Sequence, residues 1–394
     1  MPSGLRKLVV CILAVVVGPH ACTQAGGAGP ALESARPRVE PAASGLTAGF
    51  DHTCGASAVG EARCWGSNDL GELGDGTDSL RTEPVRPAGA LPLQWLDASH
   101  NRTCGLAEGA PVCWGRNPLR VLSDSADADP LEPRNVETDV RFARVSVGAD
   151  HACGLSAEGE AWCWGSNRAG ELGDGTNTDR RVPVRAGGER SFAWLSSGFD
   201  HTCALDGGGS AWCWGSNDFG ELGSDAREQG SSEPVAVRGD HEFEAISAGL
   251  NRTCALTDDG EAYCWGSNTH GALGDGTDSL RTMPVRVSGE RTFASIEAGY
   301  YHTCALTEQG EAYCWGFNGF GQVGDGTAQS RSQPTLVEGG TRFRVITAGA
   351  YHTCAAATAG EIYCWGRDPL APLGTAAAGR RTTPTRVAEG FTIG

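Results

Sequence analysis

The sequence predicts an all-β protein built from seven similar units, and three observations carry that prediction. Cysteines recur at intervals of 49 to 51 residues from Cys54 to Cys354. Each interval contains short runs of alternating apolar and polar residues, separated by Gly, Asn and Asp clusters, which is typical of β-strands. Each unit also keeps the same order of internal motifs, and a fixed period of this length is the signature of a repeat architecture. We therefore expect about four antiparallel strands in each of seven units.

Three motifs recur in these units: A-G-x-x-H-T-C-A-L, Y-C-W-G-S-N and G-x-L-G-D-G-T. They resemble the repeat of the regulator of chromosome condensation family, and the resemblance covers residues 45–394. It implies a seven-bladed β-propeller of four-stranded antiparallel blades, a closed ring that leaves no exposed sheet edges. How the ring closes stays open, because residues 391–394 could add a terminal strand to the first blade.

The cysteines of each repeat are placed to pair across a hairpin. Nine residues separate them in six repeats and eight in the second. Nine residues fit a three-residue loop that ends in Gly, and eight fit a two-residue loop at Glu108-Gly109. Either loop places the cysteines in a non-hydrogen-bonded pair with Cα atoms about 4.5 Å apart, within disulfide range. Zinc is the rival interpretation, but structural zinc sites use closer Cys spacing.

We predict seven disulfides, one in each blade. They are Cys54–Cys64, Cys104–Cys113, Cys153–Cys163, Cys203–Cys213, Cys254–Cys264, Cys304–Cys314 and Cys354–Cys364.

The first 44 residues are predicted to be an export signal and a tether. Two basic residues precede an apolar run over residues 8–17 that ends at Gly18-Pro19, the order found in a secretory signal, which we assign to residues 1–21. Cys22 opens a Gly/Ala/Pro/Ser-rich stretch over residues 22–44 and resembles a bacterial lipoprotein processing site, although Pro19 stands where that motif has an aliphatic residue. We expect lipidation at Cys22, with ordinary cleavage nearby as the alternative. The protein would then lie in the bacterial cell envelope or outside the cell.

Composition narrows the class of partner. The chain of 394 residues has 48 acidic and 31 basic residues, a formal net charge of −17 at pH 7. This surplus disfavours partners that bind through their phosphates, so we expect no nucleic-acid binding. No apolar run approaches the roughly 20 residues of a membrane span, so a membrane would be reached only through a lipid anchor. We also expect a monomer.

Repeated polar and aromatic positions receive structural interpretations. The tryptophan after the second cysteine of each repeat is expected to pack the core. The Gly-Asp-Gly-Thr motifs lack the nine-residue period of calcium-binding β-rolls and are expected to be turns.

A column of histidines, with arginine in two repeats, is expected to hydrogen-bond backbone at the turn between the first two strands. Its members are His52, Arg102, His151, His201, Arg252, His302 and His352. We predict no catalytic residue, no cofactor and no metal site.

The loop just before this column carries aromatic and acidic residues in most repeats. In a propeller such loops gather at one end of the ring, where mixed aromatic and acidic side chains are typical of a protein-binding face. The alternative, that some of them fill gaps between blades, is weighed equally. The predicted face comprises Phe50, Asp51, His100, Asp150, Phe199, Asp200, Leu250, Tyr300, Tyr301 and Tyr351.

These observations favour an exported, non-enzymatic interaction module for a protein or glycan partner. The family resemblance implies, as an alternative, guanine nucleotide exchange on a small GTPase, but that activity needs a reducing compartment and a basic surface. The fold also resembles that of a secreted β-lactamase inhibitor protein, which implies inhibition of a secreted hydrolase as a further alternative. A propeller lyase or hydrolase would show an asymmetric His, Asp and Glu cluster at one end of the central tunnel.

Overall fold

The computed structural model describes residues 45–89, 91–118, 129–224, 230–368, 379–387 and 391–393. In these ranges 28 strands form seven four-stranded sheets, and neighbouring strands in each sheet follow one another in the chain and run antiparallel. The predicted seven-bladed propeller is confirmed. The predicted signal, tether and lipidation site lie outside the described residues. Within them, no helix is long and apolar enough to cross a membrane.

The first four blades take their strands in chain order. Blade 1 contains β1 (Leu46–Ala48), β2 (His52–Ala56), β3 (Ala62–Gly66) and β4 (Arg81–Val85); blade 2 contains β5 (Trp95–Ser99), β6 (Arg102–Ala107), β7 (Ala110–Gly115) and β8 (Arg134–Asn135). Blade 3 contains β9 (Phe142–Val147), β10 (His151–Ser156), β11 (Ala161–Gly165) and β12 (Arg180–Arg185); blade 4 contains β13 (Trp194–Ser197), β14 (His201–Leu205), β15 (Ala211–Gly215) and β16 (Ser231–Ala236).

The last three blades repeat the pattern. Blade 5 contains β17 (Phe243–Ala248), β18 (Arg252–Thr257), β19 (Ala262–Gly266) and β20 (Arg281–Arg286), with one 3-10 turn over Thr269–Gly271 between its last two strands. Blade 6 contains β21 (Ser295–Ala298), β22 (His302–Leu306), β23 (Ala312–Gly316) and β24 (Arg331–Leu336); blade 7 contains β25 (Phe343–Ala348), β26 (His352–Ala357), β27 (Ile362–Arg367) and β28 (Arg380–Arg386).

The central hairpin of each blade has the predicted register. In blade 5, Cys254 lies opposite Cys264, and the Thr257 N–H donates to the Glu261 carbonyl at 3.0 Å. Gly260 takes a φ of 80°, the left-handed conformation that glycine adopts at least cost. In blade 2 the shorter loop turns at Glu108 and Gly109, with φ of 51° and 76°, which is the two-residue turn expected there.

All seven predicted disulfides are present. The Cα atoms of the paired cysteines lie 4.0 to 4.1 Å apart, slightly closer than expected. Every one of these cysteines is fully buried. Each disulfide therefore joins the two middle strands of a blade inside the core.

The repeated tryptophans pack between blades, as predicted, and all seven are fully buried. An aromatic ring at the start of a blade lies about 6 Å from the tryptophan of that blade, as for Phe142 and Trp164 at 6.0 Å. Where both partners are described, four of the indoles also donate their N–H to a carbonyl of the preceding blade. Trp114, for example, donates to the Glu72 carbonyl at 2.8 Å. Core packing and backbone hydrogen bonding thus join neighbouring blades at the same place.

The five histidines of the column bond a threonine of the next blade through Nε2, so the prediction of a backbone bond at the turn was wrong for that contact; of the two arginines, Arg252 does bond carbonyls of this turn, in blade 6. His52 Nε2 lies 2.9 Å from Thr103 Oγ1 of the next blade, and the other four histidines each meet the threonine one blade on in the same way. The Thr103 hydroxyl donates its one proton to the Glu72 carbonyl at 2.9 Å. It must therefore accept from the imidazole, so the histidine carries its proton on Nε2. We call this His–Thr–carbonyl chain the blade latch.

Burial keeps the latch histidines neutral. It lowers the pKa of each of the five to about 3. The glycine of A-G-x-x-H makes room for the ring, because a Cβ at Gly49 would overlap the His52 imidazole. In blade 5 Arg252 replaces the histidine and bonds Thr303 Oγ1 at 3.2 Å, besides carbonyls of blade 6. The column thus joins blades at six junctions, whereas Arg102 of blade 2 donates to the Arg116 carbonyl of its own blade, and blade 3 has Ala152 in place of the threonine.

The ring closes without an added strand. Residues 391–393 form no strand, and all four strands of blade 1 come from the first repeat. The Ile393 N–H donates to the Gly360 carbonyl at 3.2 Å, the bond that Phe343 makes to Gly310 at the preceding junction. Ile393 also packs in one cluster with Leu46 and Trp65 of blade 1. The C-terminal residues therefore take the place of an inter-blade linker.

Candidate binding face

The loops that precede the latch histidines converge on the ring axis. Phe50 of blade 1 lies 5.6 Å from the His100 ring of blade 2 and 5.4 Å from Tyr300 of blade 6. Phe199 of blade 4 joins them, at 5.6 Å from His100 and 6.2 Å from Tyr300. The Tyr300 hydroxyl accepts the His100 N–H across the ring at 2.6 Å. These four residues, here called the plug, cover one end of the central channel.

The plug separates two chemically different parts of the same face. On blades 5 to 7, aromatic rings that are partly or fully exposed contact one another in a continuous cluster. Tyr301 stacks on Tyr351 at 5.2 Å, and Phe320 meets Tyr351 edge-on at 5.2 Å. We call this set the aromatic cluster. It comprises His270, Tyr301, Phe317, Phe320 and Tyr351.

Blades 1, 3 and 4 contribute the carboxylates Asp51, Asp150 and Asp200 to the face. Arg367 of blade 7 reaches Asp51 of blade 1 at 3.6 Å, while its guanidinium lies 5.3 Å from the ring centre of Tyr351. Arg116 of blade 2 forms the matching contact with Asp150 of blade 3. Asp51 and Asp150 are therefore each paired with an arginine of the preceding blade.

Burial shifts the acidity of two of these carboxyls. It raises the pKa of Asp51 to about 6, against the opposing effect of Arg367. Burial also raises the pKa of Asp200 to about 6, and there the nearby charges of Glu171, Asp150 and Glu221 act in the same direction. Asp200 has no counterion of its own among the described residues.

Two further acids lie below the plug, in the channel lined by the first strand of each blade. Asp97 Oδ2 accepts the Val147 N–H of the next blade at 2.7 Å. The Thr47 hydroxyl of blade 1 likewise accepts the N–H of Ala98 of blade 2 at 2.9 Å. Burial raises the pKa of Asp97 to about 6 and that of Glu297 to about 8. Asp97 thus has a structural role in joining blades, which the sequence pattern had not indicated.

The structure brings together most of the predicted face and enlarges it. Phe50, His100, Phe199 and Tyr300 form the plug, Tyr301 and Tyr351 belong to the aromatic cluster, and the half-buried Leu250 lies beside the channel. Sequence reasoning missed His270, Phe317, Phe320 and the two arginines. A signal for Phe317 and the arginines was available, because the residue after each Trp-Gly is serine in four repeats but arginine or phenylalanine in the other three.

The Gly-Asp-Gly-Thr segments beside the face are turns, as predicted. The Asp75 carboxylate accepts the N–H of Thr77 at 3.0 Å, the Arg81 Nε–H at 2.7 Å and the Asn68 amide at 3.2 Å. These bonds lower the pKa of Asp75 although burial opposes them. Equivalent sets hold Asp174, Asp275 and Asp325. Among the described residues, no three His, Cys, Asp or Glu side chains are arranged to hold a metal ion.

Comparison with known families supports the fold and its repeat. The model of the RCC1-like domain matches residues 14–393. The chain belongs to the RCC1-like domain family. A search of curated proteins found no match.

Solved structures similar to this RCC1-like chain come from yeast, human and plant proteins. Yeast RCC1 (Prp20) bound to Kap60 is 22% identical, with 77% of this chain and 78% of that chain covered and a TM-score of 0.69. Human WBSCR16 is 19% identical, with 79% and 85% covered and a TM-score of 0.73. The CRINKLY WD40 ectodomain of the Arabidopsis thaliana receptor kinase ACR4 is 20% identical, with 86% and 98% covered and a TM-score of 0.54. At these identities the likeness concerns the fold.

Proposed function

We propose that this RCC1-like propeller is an exported, non-enzymatic interaction module that binds a protein through the face described above. The single observation that carries the proposal is the aromatic cluster beside the plug. Aromatic side chains held at a rigid surface and next to charged groups are the residues that contribute most to protein–protein affinity. Blades 5 to 7 supply the aromatic part and blades 1, 3 and 4 the acidic part, so the face is asymmetric although the ring is repetitive.

The rigidity of the face favours tight binding. Its loops lie between strands joined by a buried disulfide in every blade. Loops fixed before binding lose little conformational freedom when a partner docks. Phe320 is held in addition by a backbone N–H that donates to Gln322 Oε1 at 3.0 Å.

Export is supported by two independent features. The leader resembles a bacterial lipoprotein signal, and buried disulfides in every blade are typical of proteins that fold in an oxidising compartment. A lipid on Cys22 would leave the face free to meet partners at the cell surface, with residues 22–44 as the tether.

Two narrower functions are consistent with the same face. Inhibition of a secreted hydrolase would be one form of protein binding. Nucleotide exchange is the second candidate, since yeast Prp20p is described with binding properties to Gsp1p and histones. Net charge of −17 and the disulfides disfavour a nuclear regulator of that kind.

Site-specific photocrosslinking in the native host tests the face. A photoreactive amino acid at Phe320 is expected to give a discrete covalent adduct with one protein. The same residue at Met283, which is 51% exposed on the outer strand of blade 5, is the control and should give none. Equal adducts from both positions, or none from Phe320, would refute binding through this face.

A further inference from the structure

The repeat aligns the residue after Trp-Gly of one blade with a loop residue of the next blade at each of the seven junctions. The contact is seen directly at three junctions, where Arg367 meets Asp51, Arg116 meets Asp150 and Phe317 lies 6.5 Å from Tyr351. The repeat places the other pairs at equivalent positions. In ring order the seven pairs are Ser67–Asn101, Arg116–Asp150, Ser166–Asp200, Ser216–Asn251, Ser267–Tyr301, Phe317–Tyr351 and Arg367–Asp51.

Six of these pairs are chemically matched. Both arginines face a carboxylate, the phenylalanine faces a tyrosine, and three serines face an uncharged side chain. The Ser166–Asp200 pair is the exception, because a carboxylate occurs there without the arginine that accompanies it at the other two junctions. The Ser166 hydroxyl is itself used within blade 3, where it donates to Glu171 Oε1 at 3.3 Å.

The surroundings of Asp200 leave its charge uncompensated. Asp200 is partly exposed on the face, and no described residue forms an ion pair with it. The charges that act on it most strongly are all negative, from Glu171, Asp150, Glu221 and Asp218, and together with burial they raise its pKa. A cation entering this junction would be attracted by several carboxylates at once.

We propose that the junction between blades 3 and 4 is a receptor for an arginine side chain of the partner protein, whose guanidinium pairs with Asp200. The proposal rests on the proposed function and specifies the partner's chemistry. The molecule itself shows the mode of binding twice, since Arg116 and Arg367 hold the equivalent carboxylates from outside their own blade. The partner's arginine takes the place that these side chains occupy at the other two junctions.

A guanidinium is the cation expected at Asp200, because Arg116 and Arg367 bind the equivalent carboxylates. Arginine presents planar paired donors to a carboxylate and also packs on aromatic faces, whereas the lysine ammonium is a compact, strongly hydrated charge. Arg367 shows both contacts, with Asp51 at 3.6 Å and the Phe320 ring centre at 5.6 Å. The aromatic cluster across the face would contact apolar residues of the same partner.

The test supplies the missing arginine within the chain. The Ser166→Arg variant of the mature protein should fill the junction as Arg116 fills its own, and the pKa of Asp200 should fall in consequence. Ser216→Arg is the matched control, because it adds the same side chain one junction on, opposite the uncharged Asn251.

The probe is acetyl-arginine-amide, titrated while carboxyl carbon NMR follows Asp200. In the unmodified protein and in Ser216→Arg, a saturating excess should lower the pKa of Asp200 by about half a unit. The Ser166→Arg variant should show no response, and acetyl-citrulline-amide should have no effect on any of the three proteins. An unchanged response in Ser166→Arg, an equal response to acetyl-lysine-amide, or no response in the unmodified protein would overturn the proposal.

This experiment separates the two proposals. The arginine probe reports on Asp200 whether or not a partner binds the face, whereas the crosslink at Phe320 reports on a partner whether or not it carries an arginine. If Ser166→Arg no longer responds to the probe but keeps the Phe320 adduct at full yield, binding through the face is supported, and the claim that an arginine of the partner occupies this junction is overturned.

Discussion

At the scale of single residues, hydrogen-bond supply explains the blade latch. A threonine hydroxyl has one proton, and Thr353 donates it to the Gln322 carbonyl at 2.8 Å. His302 Nε2 lies 2.7 Å from the hydroxyl oxygen of Thr353 and must then donate the second hydrogen bond to it. A protonated histidine would gain nothing at this site and would carry a buried charge, so burial lowers its pKa.

Replacing His302 by alanine should destabilise the protein by about 2 to 3 kcal/mol at pH 7, because it removes a buried ring and leaves the threonine with one bond fewer. The pKa of His302 is about 3 in the folded protein and near 6.5 when unfolded. Its contribution is therefore complete above pH 6.5 and falls as the pH drops towards 3. Urea unfolding at pH 7 and pH 5 should show the difference from the unmodified protein shrink by about 1 to 2 kcal/mol. A difference that is the same at both pH values would contradict the neutral latch.

Asp200 illustrates a residue whose charge opposes folding. Its pKa is about 6 in the folded protein and 3.8 as the reference value, so its ionisation destabilises the fold as the pH rises through this window. Asp200→Asn should therefore stabilise the protein by about 1 kcal/mol at pH 7, with solvent screening allowed for, and have little effect at pH 4.

The matched control is Asp51→Asn. The pKa of Asp51 is raised to a similar value, but its replacement also removes the partner of Arg367. We expect less stabilisation at pH 7 from Asp51→Asn than from Asp200→Asn. Chemical unfolding of both variants at both pH values provides the comparison, and a loss of stability in Asp200→Asn at pH 7 would show that its charge has a hidden partner.

At the scale of elements, the hairpins were predictable in detail because their register depends on local spacing. Nine residues between cysteines require a three-residue loop and eight require a two-residue loop, and both place the sulfurs side by side. The latch and the plug were not predictable in the same way. Their partners lie 51 residues apart for His52 and Thr103, and 200 apart for His100 and Tyr300, so only the closed ring brings them together.

The disulfides should contribute to stability blade by blade. Replacing both Cys304 and Cys314 by alanine opens a short loop, for which chain entropy gives a loss of about 2 to 3 kcal/mol. Alanine avoids burying a new hydroxyl in the core. Guanidinium unfolding under oxidising conditions measures the loss, and an unchanged midpoint would contradict a stabilising role for the crosslink.

At the scale of the whole molecule, ring closure depends on the last residues of the chain. The repeat predicted seven blades, but it did not reveal the closure, because Ile393 stands where other junctions have Phe or Leu and lies at the end of the chain. The face was predicted in outline because the repeat places the loops before the latch histidines at one end of the ring. Its arginine–carboxylate pairs were not predicted, because each of them joins a residue of one repeat to a residue of the next.

Ile393→Ala should destabilise the ring by about 3 kcal/mol, because it empties the apolar contact between blades 7 and 1. Thr392→Ala is the matched control, since Thr392 is exposed next to it. Thermal unfolding of the two variants makes the comparison. Equal midpoints would contradict closure by the C-terminal residues.

Compartment decides between an exported binding module and an intracellular exchange regulator. The most direct measurement is an intact mass with a non-reducing peptide map of the protein isolated from its native cells. We predict cleavage after residue 21, an acyl group on Cys22 and the seven disulfides of the structure. An uncleaved leader with reduced cysteines would contradict export and favour the exchange regulator instead.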